Sequence, residues 1–290
     1  MASEGSINHI TVTLKTSDIE IIKATGIRTA FSLEKLQASL RRSGADKVII
    51  DTIVQQVTDE LYDGISTREI YNRAFALLKK DKSVFASKYK LKKAIYELGP
   101  TGFPFEKFIA AILTYSGYQA TTNVLIQGKC VEHEVDVKAL KDQLKLFVEC
   151  KFHSDRGKKC NVKVPLYIHS RFLDISRHPQ QSNFDIENGW VVTNTRFTKD
   201  AIAYGRCAGL YLLSWDFPKK HSLRERIDRL GLYPITVSTV LSAREKQFLL
   251  SRDVVLCRQL IKDSFFLDHL GISDVRKERI LKEVETLCSA

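Results

Sequence analysis

The spacing of hydrophobic positions changes along the chain, and each change predicts an element. Residues 10–13 alternate apolar and polar side chains, which predicts a short strand. The apolar run 19–22 predicts a partner strand, closed by a turn at Ala24-Thr25-Gly26. The period then becomes helical. Ser32 predicts an N-cap for a helix over 33–43, with Leu33, Leu36 and Leu40 on one face and Gly44 as its stop. A second amphipathic helix is predicted over 48–61. Ser66-Thr67-Arg68-Glu69 has a capping-type pattern and opens a third helix running toward Lys80. A fourth follows over 88–96. The breakers Leu98-Gly99-Pro100-Thr101-Gly102 form the clearest boundary.

Beyond it the order is helix 103–116, strands 122–126, 132–139 and 145–153, helix 164–176, strand 189–193, helix 199–208 and strand 210–215. Strands alternating with helices imply an α/β core. From Ser222 the pattern is helical and Leu-rich, with breaks at Pro234 and Gly271 and a helical stretch opening at Pro234-Ile235-Thr236. The expected fold class is therefore a multidomain α/β (α+β) chain. Residues 1–98 form a small hairpin-and-helix module, 99–222 the α/β core and 223–290 a helical module.

Lysine and arginine outnumber acids 45 to 34, a formal charge of +11. That excess favours polyanionic partners, nucleic acid first. It is dispersed, so any binding face must be assembled by folding. Apolar runs are only a few residues long, which predicts no membrane span. The start MASEGSINHI lacks a secretory pattern. Six cysteines without a CxxC pair predict packed, reduced thiols and a cytoplasmic protein.

The candidate chemistry lies on two strands. Side chains on a strand alternate between faces. Leu146, Val148, Cys150 and Phe152 share one face, while Glu149 and Lys151 share the other. In the preceding strand His133, Val135 and Val137 face one way, and Glu132, Glu134 and Asp136 the other. A short connection lets Asp136 and Glu149 converge. Converged carboxylates suit Mg²⁺ or Mn²⁺, which take oxygen ligands. Lys151 falls on the face of Glu149, where an ammonium can hold a water and offset developing charge.

Asp136…Glu149-Cys150-Lys151 resembles the D…(D/E)-x-K signature of the PD-(D/E)XK nucleases. Gly102-Phe103-Pro104-Phe105-Glu106 resembles the first helix of their Mrr-type restriction-endonuclease branch, and Tyr115-Ser116-Gly117-Tyr118 the lead into its first strand. Trp190-Val191-Val192-Thr193-Asn194 with Phe197-Thr198 is similar to the strand and helix after its catalytic strand. The match spans about 101 to 216. Val135 stands where the signature has proline, and His133-Glu134 where many members have a small residue and Gly. The resemblance implies a restriction-endonuclease-like core with a central mixed sheet. It implies metal binding by Asp136 and Glu149 with the Cys150 carbonyl, water positioning by Lys151, and Glu106 as a further acidic residue. His133 either touches the scissile phosphate or is a satisfied, half-buried histidine, the second being favoured. The implied activity is Mg²⁺- or Mn²⁺-dependent hydrolysis of DNA, in restriction or repair, in a family whose double-strand cutters are often homodimers. A catalytically inactive nucleotide-sensing DNA-binding regulator and an RNase or junction nuclease stand as alternatives.

Residues 10–95 resemble an ATP-cone, a nucleotide-sensing module. The matching positions are Ile10-Thr11-Val12, Ile22-Lys23, Gly26, Phe31, Glu34-Lys35-Leu36, Ser39-Leu40, Gly64, Ser66-Thr67, Ile70-Tyr71, Tyr89, Leu91 and Ala94. The resemblance implies ATP or dATP as an effector, with Lys23, Arg28 and Lys35 at its phosphates. The family's second basic turn residue is absent from Lys23-Ala24-Thr25-Gly26. No Walker A sequence occurs, so an ATP-driven motor is not expected. The last helix, over 274–287, carries Arg276, Lys277, Arg279 and Lys282 and loosely resembles helix-hairpin-helix DNA-contact modules.

Overall fold

The computed structural model describes residues 19–181 and 183–289. The strand expected over 10–13 lies outside them. The described chain divides into two compact units, at Asp81 and Lys82.

In the first unit, β1 (Glu20–Ile22) pairs antiparallel with β2 (Arg28–Ala30). The turn between them closes through Gly26 N–H to the Lys23 carbonyl at 2.9 Å, with Gly26 in the left-handed region at φ 79°. The other face of β1 pairs parallel with β3 (Ile65–Ser66). Strands this short hold too few positions to show a period, so β2 and β3 leave no alternation in the sequence. The helices are α1 (Leu33–Arg42), α2 (Lys47–Asp59) and α3 (Thr67–Asp81). Ser32 Oγ accepts from Lys35 N–H at 3.2 Å, and Ser66 Oγ from Glu69 N–H at 3.0 Å. Both caps satisfy amides that a helix start leaves open.

The next helix, α4 (Ser83–Tyr96), belongs to the second unit, although the sequence pattern groups it with the N-terminal module. Leu91, Ala94 and Ile95 sit in the second unit's core. Its polar side chains bond far along the chain. Lys90 Nζ donates to the Thr236 carbonyl at 2.9 Å, and Thr236 Oγ1 to the Ala94 carbonyl at 2.7 Å. Ser87 Oγ donates to Glu283 Oε1 at 2.8 Å. The Gly-Pro run after α4 ends a helix, but the packing continues through it. Glu283 is 3% exposed and also accepts from Ser238 Oγ, Thr239 N–H and Thr239 Oγ1. Truncating it strands several buried donors. Glu283→Ala is expected to lower unfolding stability by about 3 kcal/mol, read by urea denaturation.

The core of the second unit is a five-stranded sheet in the order β4-β5-β6-β7-β8. Helix α5 (Phe103–Tyr115) leads into β4 (Gln119–Gln127), β5 (Glu132–Lys141) and β6 (Leu144–Lys151), which run antiparallel to one another. Helix α6 (Lys163–Ser176) crosses to β7 (Gly189–Thr193), and α7 (Lys199–Cys207) to β8 (Tyr211–Leu213), giving parallel β6-β7-β8. The sheet is thus mixed. Val137, Leu146 and Val148 pack into one core with Phe105, Phe108 and Ile109 of α5. Phe147 and Val191 pack into another with Ile168 and Phe172 of α6. Gly189 is required by this second core, because a Cβ there would lie 2.5 Å from Phe172 Cδ2.

The remaining helices are α8 (Leu223–Leu230), α9 (Ala243–Ser251), α10 (Cys257–Lys262), α11 (Phe265–His269) and α12 (Asp274–Cys288). They share the core of α4 and α5. Helix α8 ends before the break expected at Pro234, but the helical stretch expected from there begins only at α9. The backbone around Pro234 bonds across to another segment, with Ile235 N–H on the Val255 carbonyl at 2.8 Å and Cys257 N–H on the Tyr233 carbonyl at 2.9 Å. Only one 3₁₀ turn, Ile235–Val237, forms before α9. Two of the cations expected to contact DNA from α12 are engaged within the fold. Arg276 holds both oxygens of Glu245, and Lys277 holds Asp268. All six cysteines are free. Among the described residues no helix is long and apolar enough to cross a membrane.

Candidate active site

Backbone pairing between β5 and β6 runs from Lys141↔Leu144 to Val137↔Val148 and stops there. Asp136 and Glu149 are the next residues on each strand. Beyond this point β6 continues with β7, as far as Lys151↔Thr193. Val135 and Val137 are divided between the two cores, so the simple alternation expected for this strand breaks at Asp136. Where the strands part, Cys150 N–H donates to Asp136 Oδ2 at 2.6 Å.

The opening is a cavity of about 510 Å³. Glu106 enters it from the first turn of α5, Glu134 and Asp136 from β5, and Glu149 and Lys151 from β6. The four residues expected to carry the chemistry therefore line one space. Helix α6 closes it with Lys163, Tyr167 and Arg171, which sequence reasoning missed. They recur every four residues after the E-x-K strand and so share one helix face. That spacing was the available signal.

Glu149 is 7% exposed. Arg171 Nη1 donates to Glu149 Oε1 at 2.5 Å and to the Glu134 carbonyl at 2.9 Å, while its Nη2 reaches Tyr167 Oη at 2.9 Å. Its guanidinium lies 5.1 Å from the centre of the Tyr167 ring. Burial, followed by the charges of Asp136 and Glu134, pushes Glu106 up to about 7. Burial and Asp136 push Glu149 up to about 8, against the pull of Arg171. Asp136 is raised too, chiefly by burial, with the Cys150 N–H opposing. Burial holds the Cys150 thiol well above its ordinary value, so it stays neutral. Burial is the largest cause for all three acids and neighbouring carboxylates add to it, so their negative charge is held back until a cation compensates it.

That charge is the test of whether a divalent cation fits. The donors are hard carboxylate oxygens, suited to Mg²⁺ or Mn²⁺. Among the described residues no three His, Cys, Asp or Glu side chains are gathered closely enough to hold a metal alone. Mg²⁺ uses one or two protein carboxylates and completes its shell with water and phosphate, and Asp136 and Glu149 line the cavity together. The residues fit the group.

Other expected residues fall elsewhere. His133 is half-buried, and its Nε2 lies 2.9 Å from Asp174 Oδ2. Asp174 also accepts from the amides of Cys130 and Val131, so the pair braces the β4–β5 turn. Lys23, Arg28 and Lys35 are exposed in the first unit. Arg28 is already engaged, 3.3 Å from both Glu20 Oε2 and Asp63 Oδ2.

The fold and cavity define a restriction-endonuclease-like domain, and comparison with known proteins agrees. Residues 100–216 match the restriction endonuclease family, and residues 233–288 match the AF1548-like C-terminal family. An uncharacterized protein of Archaeoglobus fulgidus is 31% identical over 178 residues, which are 61% of this chain and 98% of that protein. The crystal structure of a protein of unknown function, AF1548, is 30% identical with a TM-score of 0.53, covering 65% of this chain and 98% of that one. The chain belongs to the family of the Archaeoglobus protein, with a restriction endonuclease domain followed by an AF1548-like C-terminal domain.

Proposed function

We propose that the chain is a divalent-metal-dependent endonuclease that hydrolyses DNA phosphodiester bonds. The observation that carries this reading is the single cavity shared by Glu106, Asp136, Glu149 and Lys151. Asp136, Glu149 and the Cys150 carbonyl would hold Mg²⁺ or Mn²⁺. The bound cation would lower the pKa of a water and neutralise charge on the phosphate. Lys151 is exposed at the cavity, and its carbonyl accepts from Thr193 Oγ1 at 2.7 Å, which anchors the strand end beneath the ammonium. It orients the attacking water and offsets charge developing on phosphorus oxygens. Glu106, poised near neutrality, can accept or return a proton. Arg171 Nη1 donates to Glu149 and keeps its carboxyl aimed into the cavity.

The N-terminal unit completes the proposal as an ATP- or dATP-sensing module, on the motif resemblance around Lys23, Arg28 and Lys35. Phosphate binding by Arg28 would require release from Glu20 and Asp63. The role would be restriction or repair, and cleavage of both strands would call for two chains acting together. The test is plasmid DNA incubated with the full chain in Mg²⁺, Mn²⁺ or EDTA, each with and without ATP or dATP. Cleavage is expected with either metal and none in EDTA. Cleavage undiminished by EDTA overturns the metal reading, and identical rates at all nucleotide concentrations overturn the sensing reading.

A further inference from the structure

The carboxyl ends of β6, β7 and β8 lie side by side, because those three strands are parallel neighbours. In open α/β sheets that edge is where ligands bind. The loop leaving β6 carries Arg156, five residues beyond Lys151. The loop leaving β7 carries Arg196, and the segment after β8 carries Trp215 and Asp216. Helix α4 adds Lys92 and Tyr96, and α8 adds Arg224. These groups meet. The Arg156 guanidinium lies over the Tyr96 ring at 5.5 Å, and Lys92 Nζ over the Trp215 ring at 5.9 Å. Arg196 Nε is 2.5 Å from Asp216 Oδ2.

The local balance is positive. Burial holds Lys92 below its ordinary value, and the charges of Arg196, Arg156 and Arg224 add to the effect against Asp216, while Glu225 pairs with Arg224 at 3.4 Å and Asp155 acts on Tyr96. Lys92, Arg156 and Arg196 are nevertheless exposed. Gathering like charges weakens a fold slightly and is recovered when an anion arrives. The β6 loop is also fixed at its root. His153 N–H bonds Asn194 Oδ1, and Asn194 Nδ2 bonds the His153 carbonyl, both at 2.8 Å. Arg156 and Arg196 are thereby tied to a common base.

We infer that Lys92, Arg156, Arg196 and Arg224 form a phosphate-binding ledge that holds the backbone of duplex DNA beside the cavity, continuous with Lys151. The inference rests on the nuclease reading and extends the DNA footprint beyond the matched endonuclease residues, onto α4 and α8. A duplex backbone suits the ledge because it presents phosphates in a row to exposed cations, whereas a sequence-reading contact needs side chains inserted among bases.

The experiment measures binding of a fluorescein-labelled DNA duplex to the full chain in EDTA, across a KCl series. The triple variant Lys92→Gln/Arg156→Gln/Arg196→Gln is compared with wild type and with a charge-matched control, Lys47→Gln/Lys79→Gln/Lys80→Gln. Each phosphate contact contributes ~0.9 to the slope of log affinity against log salt, so the ledge variant is expected to lose about 2 to 3 of that slope. The control is expected to keep it. Equal slopes in wild type and ledge variant, with matching thermal melts, overturn the ledge. Equal losses in ledge and control variants overturn it too, since charge alone would then account for binding. A single-stranded RNA probe that loses slope while the duplex does not also overturns it. If the ledge variant loses slope but no condition yields cleavage, the ledge stands and the nuclease reading fails.

Discussion

Asp136→Asn and Lys151→Ala are each expected to lower the rate of DNA cleavage by about 10²–10³-fold, the usual cost of removing one group that stabilises charge in a transition state. The two losses should differ in kind. Asp136 contributes an oxygen to the cavity and accepts the Cys150 N–H at 2.6 Å. The amide side chain keeps an acceptor for that bond while removing the charge, so the fold should persist and divalent-ion binding should weaken. Lys151 is exposed at the cavity and stands outside the core. Its truncation should leave ion binding close to wild type while cleavage fails. Metal titration by calorimetry beside single-turnover cleavage separates the two. Cleavage by Lys151→Ala at the wild-type rate would remove Lys151 from the mechanism.

Much of this site was legible because strand alternation is a local property. Glu149 and Lys151 must share a face, and the short connection from β5 must bring Asp136 near. The sequence could not show where the pairing of β5 and β6 ends, because that depends on neighbouring strands. That point matters most for the site, since Val137↔Val148 is the last paired position before the acids. Arg171 was hidden for a related reason. Its role follows from how α6 crosses the sheet, and an arginine on an amphipathic helix reads equally as solvated surface. The assignment of α4 misled in the opposite direction. Its apolar face was visible, but its packing partners, Thr236 and Glu283, lie far along the chain. The Gly-Pro run between them looked like a boundary. Caps such as Ser32 and Ser66 were legible because their bonds span only three residues.

Divalent-ion affinity is expected to depend steeply on pH. Glu149 stands at about 8 and Glu106 at about 7 in the free protein. An ion binds the charged carboxylate, so binding must release a proton wherever Glu149 is protonated. Apparent affinity should fall ~tenfold for each pH unit below about 8, and more steeply below about 7 as Glu106 joins. Stability runs in the opposite direction. Both folded values lie above the ordinary glutamate range, so their stabilising contribution is complete below that range and is lost as pH climbs toward about 8. In EDTA the thermal midpoint should therefore decline over this interval, and Mg²⁺ should restore it at the alkaline end by binding only the folded chain. Arg171 sets the position of the profile. Its charge holds Glu149 lower than burial and Asp136 would. Arg171→Gln should move the affinity profile to higher pH, while Glu149→Gln should weaken binding and flatten what remains. Isothermal titration calorimetry with Mn²⁺ from pH 6 to 9 reads both effects. A flat wild-type profile would mean that Glu149 is already ionised, with Arg171 rather than burial deciding its charge.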